Sequence, residues 1–288
     1  MTVKKVHFYV NSRKPRAQTV CEALSALAVE LGLEVTDSGA LADVVLALGG
    51  DGTMLRAVHE FPGIPLLGLN LGSLGYLSSV GEGDFACAVE MLARGEFRVA
   101  ERSALAVRKF QVGAQRRGEF KAVALNDVVV MREMSGHAAI LDMSVDEKRP
   151  TRYLADGIVV ATPTGSTAYS LSAGGPVLMP DSRSFVVTPM NPHALGIRPL
   201  VVGDGAVLSV SSCPRTDVED GKLGVYADGE NVFMLEDGEV LEIAKSPAGV
   251  AMVELNGYDP YDVLARKLGW SGSCVHGAGS CREEQNDA

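Results

Sequence analysis

A single acidic residue interrupts the glycine-rich segment GGDGT at positions 49–53, directly after the apolar run Val44–Leu48. Glycines leave backbone N–H groups uncovered, and the N-terminus of a following helix adds positive potential, so a phosphate can approach this turn closely. A carboxylate that faces phosphates repels them unless it binds a cation or accepts a proton from an attacking hydroxyl group. The segment therefore indicates phosphoryl transfer that uses Asp51, with a simple helix cap as the alternative.

Two further segments place polar groups at the ends of predicted strands. GLNLGSLGYL at 68–77 is a second glycine-rich turn, and its Tyr76 either stacks on a base or packs internally. Open α/β sheets bind ligands at the carboxyl ends of their strands, so both glycine-rich turns are expected to face one crevice. Asn126 and Asp127 precede the valines 128–130, so both side chains reach one ligand only if the backbone bends or the pair lies at the mouth of a strand. The alternative for this pair is an Asx turn.

Hydroxyl groups are concentrated in residues 162–172, where six of eleven residues are serine or threonine and Pro163 and Gly165 interrupt them. This density favours a polar pocket over a packed core element. Serine hydrolase chemistry is the alternative, but Ser166 lacks the GxSxG context of such a nucleophile. The chain also lacks GxxxxGK[ST], GxGxxG and HExxH, so the usual nucleotide-loop and zinc signatures are absent.

The elements that must position these segments belong to two parts of the chain with different sequence patterns. Residues 1–100 alternate strand and helix patterns, and the fully apolar run 44–48 is typical of a strand buried on both faces of a parallel sheet. This part predicts a doubly wound, Rossmann-like α/β domain. Residues 101–254 consist of short apolar segments separated by turn signals, which predicts a mostly antiparallel β domain. A capped helix follows within 255–270, and the small, polar residues 271–288 are expected to form a disordered tail.

Charge and cysteine content exclude several classes of protein. A formal net charge of −10 argues against a broad basic surface for nucleic acid or an anionic membrane. The apolar runs are too short for a membrane helix, and no secretory signal is readable at the N-terminus. Five scattered cysteines predict reduced thiols in the cytoplasm. Cys274, His276 and Cys281 could suggest a metal clip, but their spacing fits no four-ligand zinc pattern.

Together, in this order, the four segments resemble the NAD kinase family, and TPMNPH at 188–193 followed by Arg198 and Pro199 extends the likeness. GGDGT alone is moderately specific because lipid kinases and phosphofructokinases carry similar loops, whereas the stretch 162–176 is much more specific. The resemblance implies an N-terminal α/β domain and a C-terminal β-sandwich, with NAD between them and the last helix returning to the first domain. It also implies transfer of the ATP γ-phosphate to the adenosine ribose 2′-hydroxyl of NAD.

The resemblance assigns roles residue by residue. Asp51 corresponds to the proton acceptor for the ribose 2′-hydroxyl, with Gly52 and Arg56 beside the nucleotide. Asn126 and Asp127 correspond to the pair that holds NAD through its ribose and base. The remaining binding positions are His137, Asp156 at the nicotinamide end, the pocket wall formed by Thr164, Thr167, Ala168, Tyr169, Ser170, Leu171 and Ser172, and Glu230, which stands where the family has glutamine.

Mg²⁺ or another divalent metal is the expected ion, with phosphate oxygens and water as its ligands rather than a protein cage. No protein metal ligand is therefore assigned. The family usually forms homodimers or homotetramers, so one of these is expected. Two alternative functions remain, a lipid kinase with the same loop and a non-catalytic dinucleotide sensor. The acidic chain shows no membrane-docking surface for a lipid kinase, and the presence of Asp51 argues against a sensor.

Overall fold

The computed structural model describes residues 2–10, 15–72, 75–113, 119–133, 138–213 and 223–269. His137 and the predicted tail 271–288 lie outside these residues. The described chain forms a mixed sheet covered by helices and a pair of antiparallel sheets. This arrangement confirms the predicted combination of an α/β part with a β-sandwich.

The first sheet contains seven strands in the described chain, namely β1 (Lys5–Val10), β2 (Glu34–Val35), β3 (Val44–Gly49), β4 (Leu66–Asn70), β5 (Val80–Gly81), β6 (Phe97–Arg102) and β19 (Val250–Leu255). Their order is β2-β1-β3-β4-β19-β6, and β5 pairs with β4. All pairs are parallel except β19 with β6. Strands β3 and β4 therefore end at the same edge, which carries both glycine-rich turns.

Helices cover both faces of this sheet: α1 (Pro15–Glu30), α2 (Asp51–Glu60), α3 (Phe85–Arg94) and α5 (Pro260–Leu268). The short α4 (Tyr169–Ser172) lies within the hydroxyl-rich segment 162–172. The alternation of side chains along β3 explains how it serves two layers. Val44, Leu46 and Leu48 pack with residues of α1 and α3, whereas Val45 and Ala47 pack with residues of α2. The run 44–48, in which no polar residue alternates with the apolar ones, is thus a central strand, as predicted.

The sandwich consists of two six-stranded antiparallel sheets, one of which, in the order β11-β10-β15-β18-β7-β8, contains β7 (Leu105–Gln111), β8 (Ala122–Ala124), β10 (Ala139–Val145), β11 (Thr151–Ala155), β15 (Leu208–Ser212) and β18 (Glu239–Lys245). The other, in the order β14-β13-β12-β9-β16-β17, contains β9 (Asp127–Arg132), β12 (Gly157–Ala161), β13 (Ser184–Met190), β14 (Leu200–Gly203), β16 (Leu223–Ala227) and β17 (Glu230–Leu235). A continuous apolar core that includes Leu141, Ile158 and Phe185 joins the two sheets.

Strand β19 shows where the observed topology differs from the division made on sequence. The predicted β domain extended to residue 254, but Val250–Leu255 lies in the first sheet between β4 and β6. A short apolar strand has the same pattern in either sheet, so its partner is decided by tertiary packing. Helix α5 follows β19, with Asp259 accepting a hydrogen bond from the Tyr261 N–H at 2.8 Å and Gly269 ending it at φ 65°.

Candidate functional site

Asp51 is the first residue of α2, and its carboxylate is held by the second glycine-rich turn. Oδ1 accepts hydrogen bonds from the backbone N–H groups of Leu77 at 3.1 Å and Ser78 at 3.0 Å. The Ser78 hydroxyl donates to the same oxygen at 2.8 Å. Oδ2 accepts from the Tyr76 N–H at 2.9 Å. The two turns that the sequence placed at neighbouring strand ends are therefore joined by a half-buried carboxylate.

Glycine is required at position 75 by this contact. A Cβ atom there would lie 1.9 Å from Oδ1 of Asp51 and 2.3 Å from Oγ of Ser78, well inside van der Waals distance. The close approach explains why the turn that faces Asp51 carries a glycine directly before Tyr76. A Cβ atom built at Gly72, by contrast, would have Asn70 Oδ1 as its nearest neighbour among the described residues, at 3.9 Å.

Positive groups at this end of α2 come from the helix itself. The helix N-terminus begins at Asp51 and supplies uncovered N–H groups and the positive end of the helix dipole. Arg56 is exposed one turn further along, and its Nε donates to the Gly52 carbonyl at 3.3 Å. An anionic ligand at the GGDGT turn would thus meet backbone donors and one guanidinium group.

Asn126 and Asp127 lie at the mouth of β9, as their expected shared role requires. Asp127 is the first residue of that strand and is buried, whereas Asn126 precedes it and is half-buried. Gly165 packs directly on this turn, because a Cβ atom there would lie 1.9 Å from the Asn126 carbonyl oxygen. The buried Thr162 hydroxyl also donates to the Leu125 carbonyl at 2.6 Å. The Asn126–Asp127 pair and the hydroxyl-rich segment 162–172 therefore pack together as one structural unit.

Asp228 organises that unit from the turn between β16 and β17. Its carboxylate accepts hydrogen bonds from the N–H groups of Leu125 at 2.8 Å, Asn126 at 2.7 Å and Asp127 at 3.2 Å. Burial and the negative charge of Asp228 together raise the pKa of Asp127 to about 7. Burial disfavours a charged carboxyl, and a neighbouring like charge disfavours it further. Asp127 therefore titrates near neutral pH in the folded chain.

The hydroxyl-rich stretch divides into buried and accessible groups. Ser166 is buried, donates to the Pro163 carbonyl at 2.6 Å and accepts from the Leu178 N–H at 2.8 Å. The buried Ser170 hydroxyl pairs with that of Thr188 at 2.8 Å. The predicted pocket-wall positions that retain partial or full exposure are Thr164, Thr167, Ala168, Tyr169, Leu171 and Ser172. The buried hydroxyls of this segment thus bond to backbone or to a neighbouring strand, whereas Thr167 donates to the Thr164 carbonyl at 3.1 Å and still retains accessible surface.

One crevice brings residues of both parts of the fold together. It is lined by Tyr76 and Leu77 from the second glycine-rich turn and by Thr164 and Thr167 from the hydroxyl-rich segment. Leu264 of α5 also lines it. The Lys267 ammonium lies 5.5 Å from the centre of the Tyr76 ring. The crevice therefore adjoins the turn that holds Asp51 and the wall formed by the fourth segment.

Two predicted residues lie at the periphery of this arrangement. Asp156 is exposed between β11 and β12, and its Oδ2 accepts from the Asn191 amide at 2.8 Å. Glu230 is exposed at the start of β17, two residues after Asp228. His137 lies outside the described residues, so its place in the site stays a prediction.

Sequence models of two domain families match the chain. The ATP-NAD kinase N-terminal domain matches residues 30–97, and the ATP-NAD kinase C-terminal domain matches residues 125–255. The NAD kinase of Symbiobacterium thermophilum is 40% identical over 230 residues, which are 78% of each chain. The NAD kinase of Syntrophotalea carbinolica is 37% identical over 232 residues, covering 80% of this chain and 79% of the relative. This chain belongs to the NAD kinase family.

Solved structures agree with the NAD kinase fold. A yeast NADH kinase complexed with NADH has a TM-score of 0.83 at 22% identity, covering 96% of this chain and 90% of that one. An NAD kinase from Archaeoglobus fulgidus in complex with ATP has a TM-score of 0.71 at 24% identity, covering 92% and 96%. At this level of identity the two likenesses establish the fold.

Sequence reasoning missed four residues of this NAD kinase family site. Ser78 follows the recognised turn and carries no signal of its own. Asp228 begins an Asp-Gly pair, which is a turn signal that could have pointed to it, and it has φ 48°. The sequence assigns no role to Asn191 within TPMNPH or to His59 on α2. Its Nε2 lies 3.4 Å from Oδ2 of Asp228.

Proposed function

We propose that this chain is an ATP-dependent NAD kinase that phosphorylates the adenosine ribose 2′-hydroxyl of NAD and releases NADP and ADP. Relatives named NAD kinase, two of them 40% and 37% identical, support this activity. The observation that carries the proposal is the position of Asp51, an acid at the start of α2 beside the crevice lined by both parts of the fold. Neither alternative function is favoured by these relatives.

Asp51 is proposed as the acceptor of the 2′-hydroxyl proton. Among the described residues, Oδ2 accepts one hydrogen bond, from the Tyr76 N–H, which leaves a lone pair for the sugar hydroxyl. As the 2′-oxygen forms its bond to the γ-phosphorus, the bond from that phosphorus to the bridging oxygen breaks and ADP leaves. The loose transition state of phosphoryl transfer makes positioning more important than base strength.

The GGDGT turn is proposed to receive the phosphates. The N-terminus of α2 and the exposed Arg56 supply the positive potential that a chain with a net charge of −10 otherwise lacks. Gly52 is exposed, and a Cβ built there would have no atom of the described residues within 4 Å outside its own helix backbone and chain neighbours, which supports access of a ligand to its backbone. These features support the assigned contacts of Gly52 and Arg56.

NAD is proposed to lie along the edge of the sandwich. Asn126 and Asp127 hold its ribose and base from the mouth of β9, and Asp156 contacts the nicotinamide end. The pocket wall is proposed to comprise Thr164, Thr167, Ala168, Tyr169, Ser170, Leu171 and Ser172, with Ser170 acting through the buried hydroxyl pair that it forms with Thr188. Glu230 and His137 complete the proposed set.

Mg²⁺ is proposed to enter as part of the substrate, bound to ATP. No group of three histidine, cysteine or acidic side chains that could hold a metal occurs among the described residues. Mg²⁺ commonly retains water and binds substrate phosphates.

We also propose a homodimer or homotetramer in the cytoplasm. Strand β14 lies at the edge of its sheet and exposes Leu200 and Val201, which supports contact with a second copy. Cys21, Cys87 and Cys213 are free thiols, in agreement with a reducing compartment. No helix in the described ranges is long and apolar enough to cross a membrane. Light scattering on the purified protein measures the oligomeric state directly.

The decisive experiment incubates the purified protein with NAD, ATP and Mg²⁺ and measures NADP. We expect NADP to form with an equal amount of ADP, and omission of either nucleotide to abolish it. A diacylglycerol substrate in mixed micelles provides the matched test of the lipid kinase alternative. Tight NAD binding without NADP formation would instead indicate the sensor.

A further inference from the structure

His59 lies on α2, eight residues and about two turns beyond Asp51, and reaches across to the sandwich. Its Nε2 is 3.4 Å from Oδ2 of Asp228. The His59 side chain is 43% exposed, whereas that of Asp228 is 1% exposed. The helix that carries the proposed catalytic carboxylate thus also contacts the turn between β16 and β17.

Among the described contacts, only those of Asp228 connect His59 with the turn at residues 125–127, which is proposed to bind NAD. Its carboxylate accepts the N–H groups of residues 125, 126 and 127, and its own N–H donates to the Asp127 carbonyl at 3.0 Å. Asp228 adopts φ 48°, which a residue with a side chain rarely adopts without such contacts. Its position therefore sets the backbone from which Asn126 and Asp127 project.

The charges around His59 favour a cation at this position. Asp228 and Glu230 face it from the β16–β17 turn, and Asp127 lies behind Asp228. Arg56 and Glu60 are its charged neighbours on α2. The groove that His59 also lines is otherwise formed by residues without ionisable groups, among them Val58, Phe61, Ile64, Leu66 and Val123. The hydrogen bond with Asp228 raises the pKa of His59 despite its partial burial.

We propose that His59 is a positioning residue for NAD, which acts through Asp228 to fix the 125–127 turn and to connect it with the helix of Asp51. The inference rests on the proposed function and extends it to a residue that touches neither substrate. Protonated His59 neutralises the charge of Asp228 and strengthens the contact. Deprotonation weakens it, so the geometry of Asn126 and Asp127 becomes dependent on pH.

The first test separates positioning from general stability. We expect His59→Ala to raise KM and Kd for NAD about 3- to 10-fold, the range of ordinary couplings between contacting residues, with kcat within about twofold and KM for ATP unchanged. His7→Ala is the matched control, because the His7 ring bonds to the Thr36 carbonyl at 2.8 Å and packs on Phe61 after the end of α2, whereas its described contacts do not include Asp228. Unchanged NAD affinity in His59→Ala, or equal losses for both nucleotides, would overturn the proposal.

The second test uses the charge of residue 59. The ratio of Kd in His59→Ala to Kd in the wild type should fall towards one as the pH rises from 6 to 9, because neutral histidine also loses the ion pair. His59→Arg keeps a cation at every pH and has room to extend from a partly exposed site. It should match the wild type at pH 6 and bind NAD more tightly than the wild type at pH 9. Taking ratios at each pH removes the contribution of Asp127 to the profile. Ratios that do not change with pH in either variant would contradict the charge mechanism.

The third test asks whether His59 acts through Asp228. In an Asp228→Asn background, His59→Ala should cause little further loss of NAD affinity, whereas additive losses would refute this route. Calorimetric Kd values do not depend on turnover. A failure of the proposed kinase activity can therefore be distinguished from a failure of the proposed role of His59. A wild type that makes no NADP refutes the proposed function, and a wild type that makes NADP beside an unaffected His59→Ala variant refutes the role of His59 alone.

Discussion

The Asp51 carboxylate accepts a hydrogen bond from the Ser78 hydroxyl at 2.8 Å, although 27 positions separate these residues in the chain. Three backbone N–H groups of the same turn add to this contact. The proposed proton acceptor is thereby fixed before any substrate arrives. Such preorganisation removes the cost of orienting the group during the reaction, which is a large part of what an enzyme supplies in phosphoryl transfer.

Asp51→Asn should bind NAD with an affinity within about threefold of the wild type but reduce kcat at least about 10²-fold, the lower end of general-base effects. The amide retains the size of the side chain but cannot accept the proton. Steady-state kinetics together with calorimetric NAD binding measure both quantities. Ser78→Ala is the control, because it removes one hydrogen bond but keeps the carboxylate, and its loss should stay below about tenfold. A near-normal kcat in Asp51→Asn removes Asp51 from the mechanism.

Gly75→Ala should reduce kcat by about tenfold or more, which corresponds to ~1.4 kcal/mol of transition-state stabilisation. The new Cβ would lie 1.9 Å from Oδ1 of Asp51, so either the carboxylate or the turn must move. Gly72→Ala is the matched control in the same turn, because its Cβ would have no neighbour closer than 3.9 Å among the described residues. Equal effects of the two substitutions would show that the contact with Asp51 is not responsible.

Asp127→Asn should stabilise the fold at pH 8 and have little effect at pH 4. The folded pKa of about 7 lies above the ordinary value of 3.8, so the folded chain holds this proton more tightly than the unfolded chain does. The resulting stabilisation is complete below about pH 4 and is lost as the pH rises through 7. Three pKa units correspond to up to about 4 kcal/mol, which is the largest gain expected for the neutral amide.

Urea unfolding at both pH values measures this effect. Asp142→Asn is a control of opposite sign, because the Arg152 guanidinium lowers the pKa of the Asp142 carboxyl. The stabilisation by Asp142 is present above its unfolded pKa and is lost as the pH falls through the folded one. Asp142→Asn should therefore destabilise the chain slightly at pH 8, since the pair is solvent-exposed. An identical gain in the free energy of unfolding of Asp127→Asn at pH 4 and pH 8 would contradict the raised pKa of Asp127.

The sequence predicts those parts of the fold that depend on local patterns. The apolar run from Val44 identifies β3, and the order Asp259, Pro260 and Gly269 marks the two ends of α5 because capping is local chemistry. The contact of Asp228 with residues 125–127 spans more than 100 positions. It arises because β16 pairs with β9 in a register that places Ala227 opposite Val128, and no spacing within the chain encodes that register.

Composition likewise predicts a polar segment at 162–172 but not which hydroxyls face a ligand. Thr162, Ser166 and Ser170 satisfy buried backbone or side-chain partners, and Thr164 and Thr167 retain accessible surface. A buried hydroxyl must be hydrogen-bonded, so the same residue type serves both purposes. Only the packing of β12 and β13 around the segment decides between them.

Asp156→Ala should raise KM for NAD about tenfold or more and leave KM for ATP within about twofold, because the carboxylate is assigned to the nicotinamide end. Hydrogen bonds to a charged group typically contribute about 1.5–3 kcal/mol, and about 1.4 kcal/mol is tenfold in affinity. Asn191 donates to that carboxylate at 2.8 Å and has φ 46°, so Asn191→Gly permits the same backbone conformation and removes the side chain that carries the amide. This second variant should raise KM for NAD by a smaller factor of about three, because Asp156 remains but is less well oriented. Steady-state kinetics with each nucleotide varied in turn distinguish the outcomes, and equal losses for NAD and ATP in Asp156→Ala would place this carboxylate elsewhere.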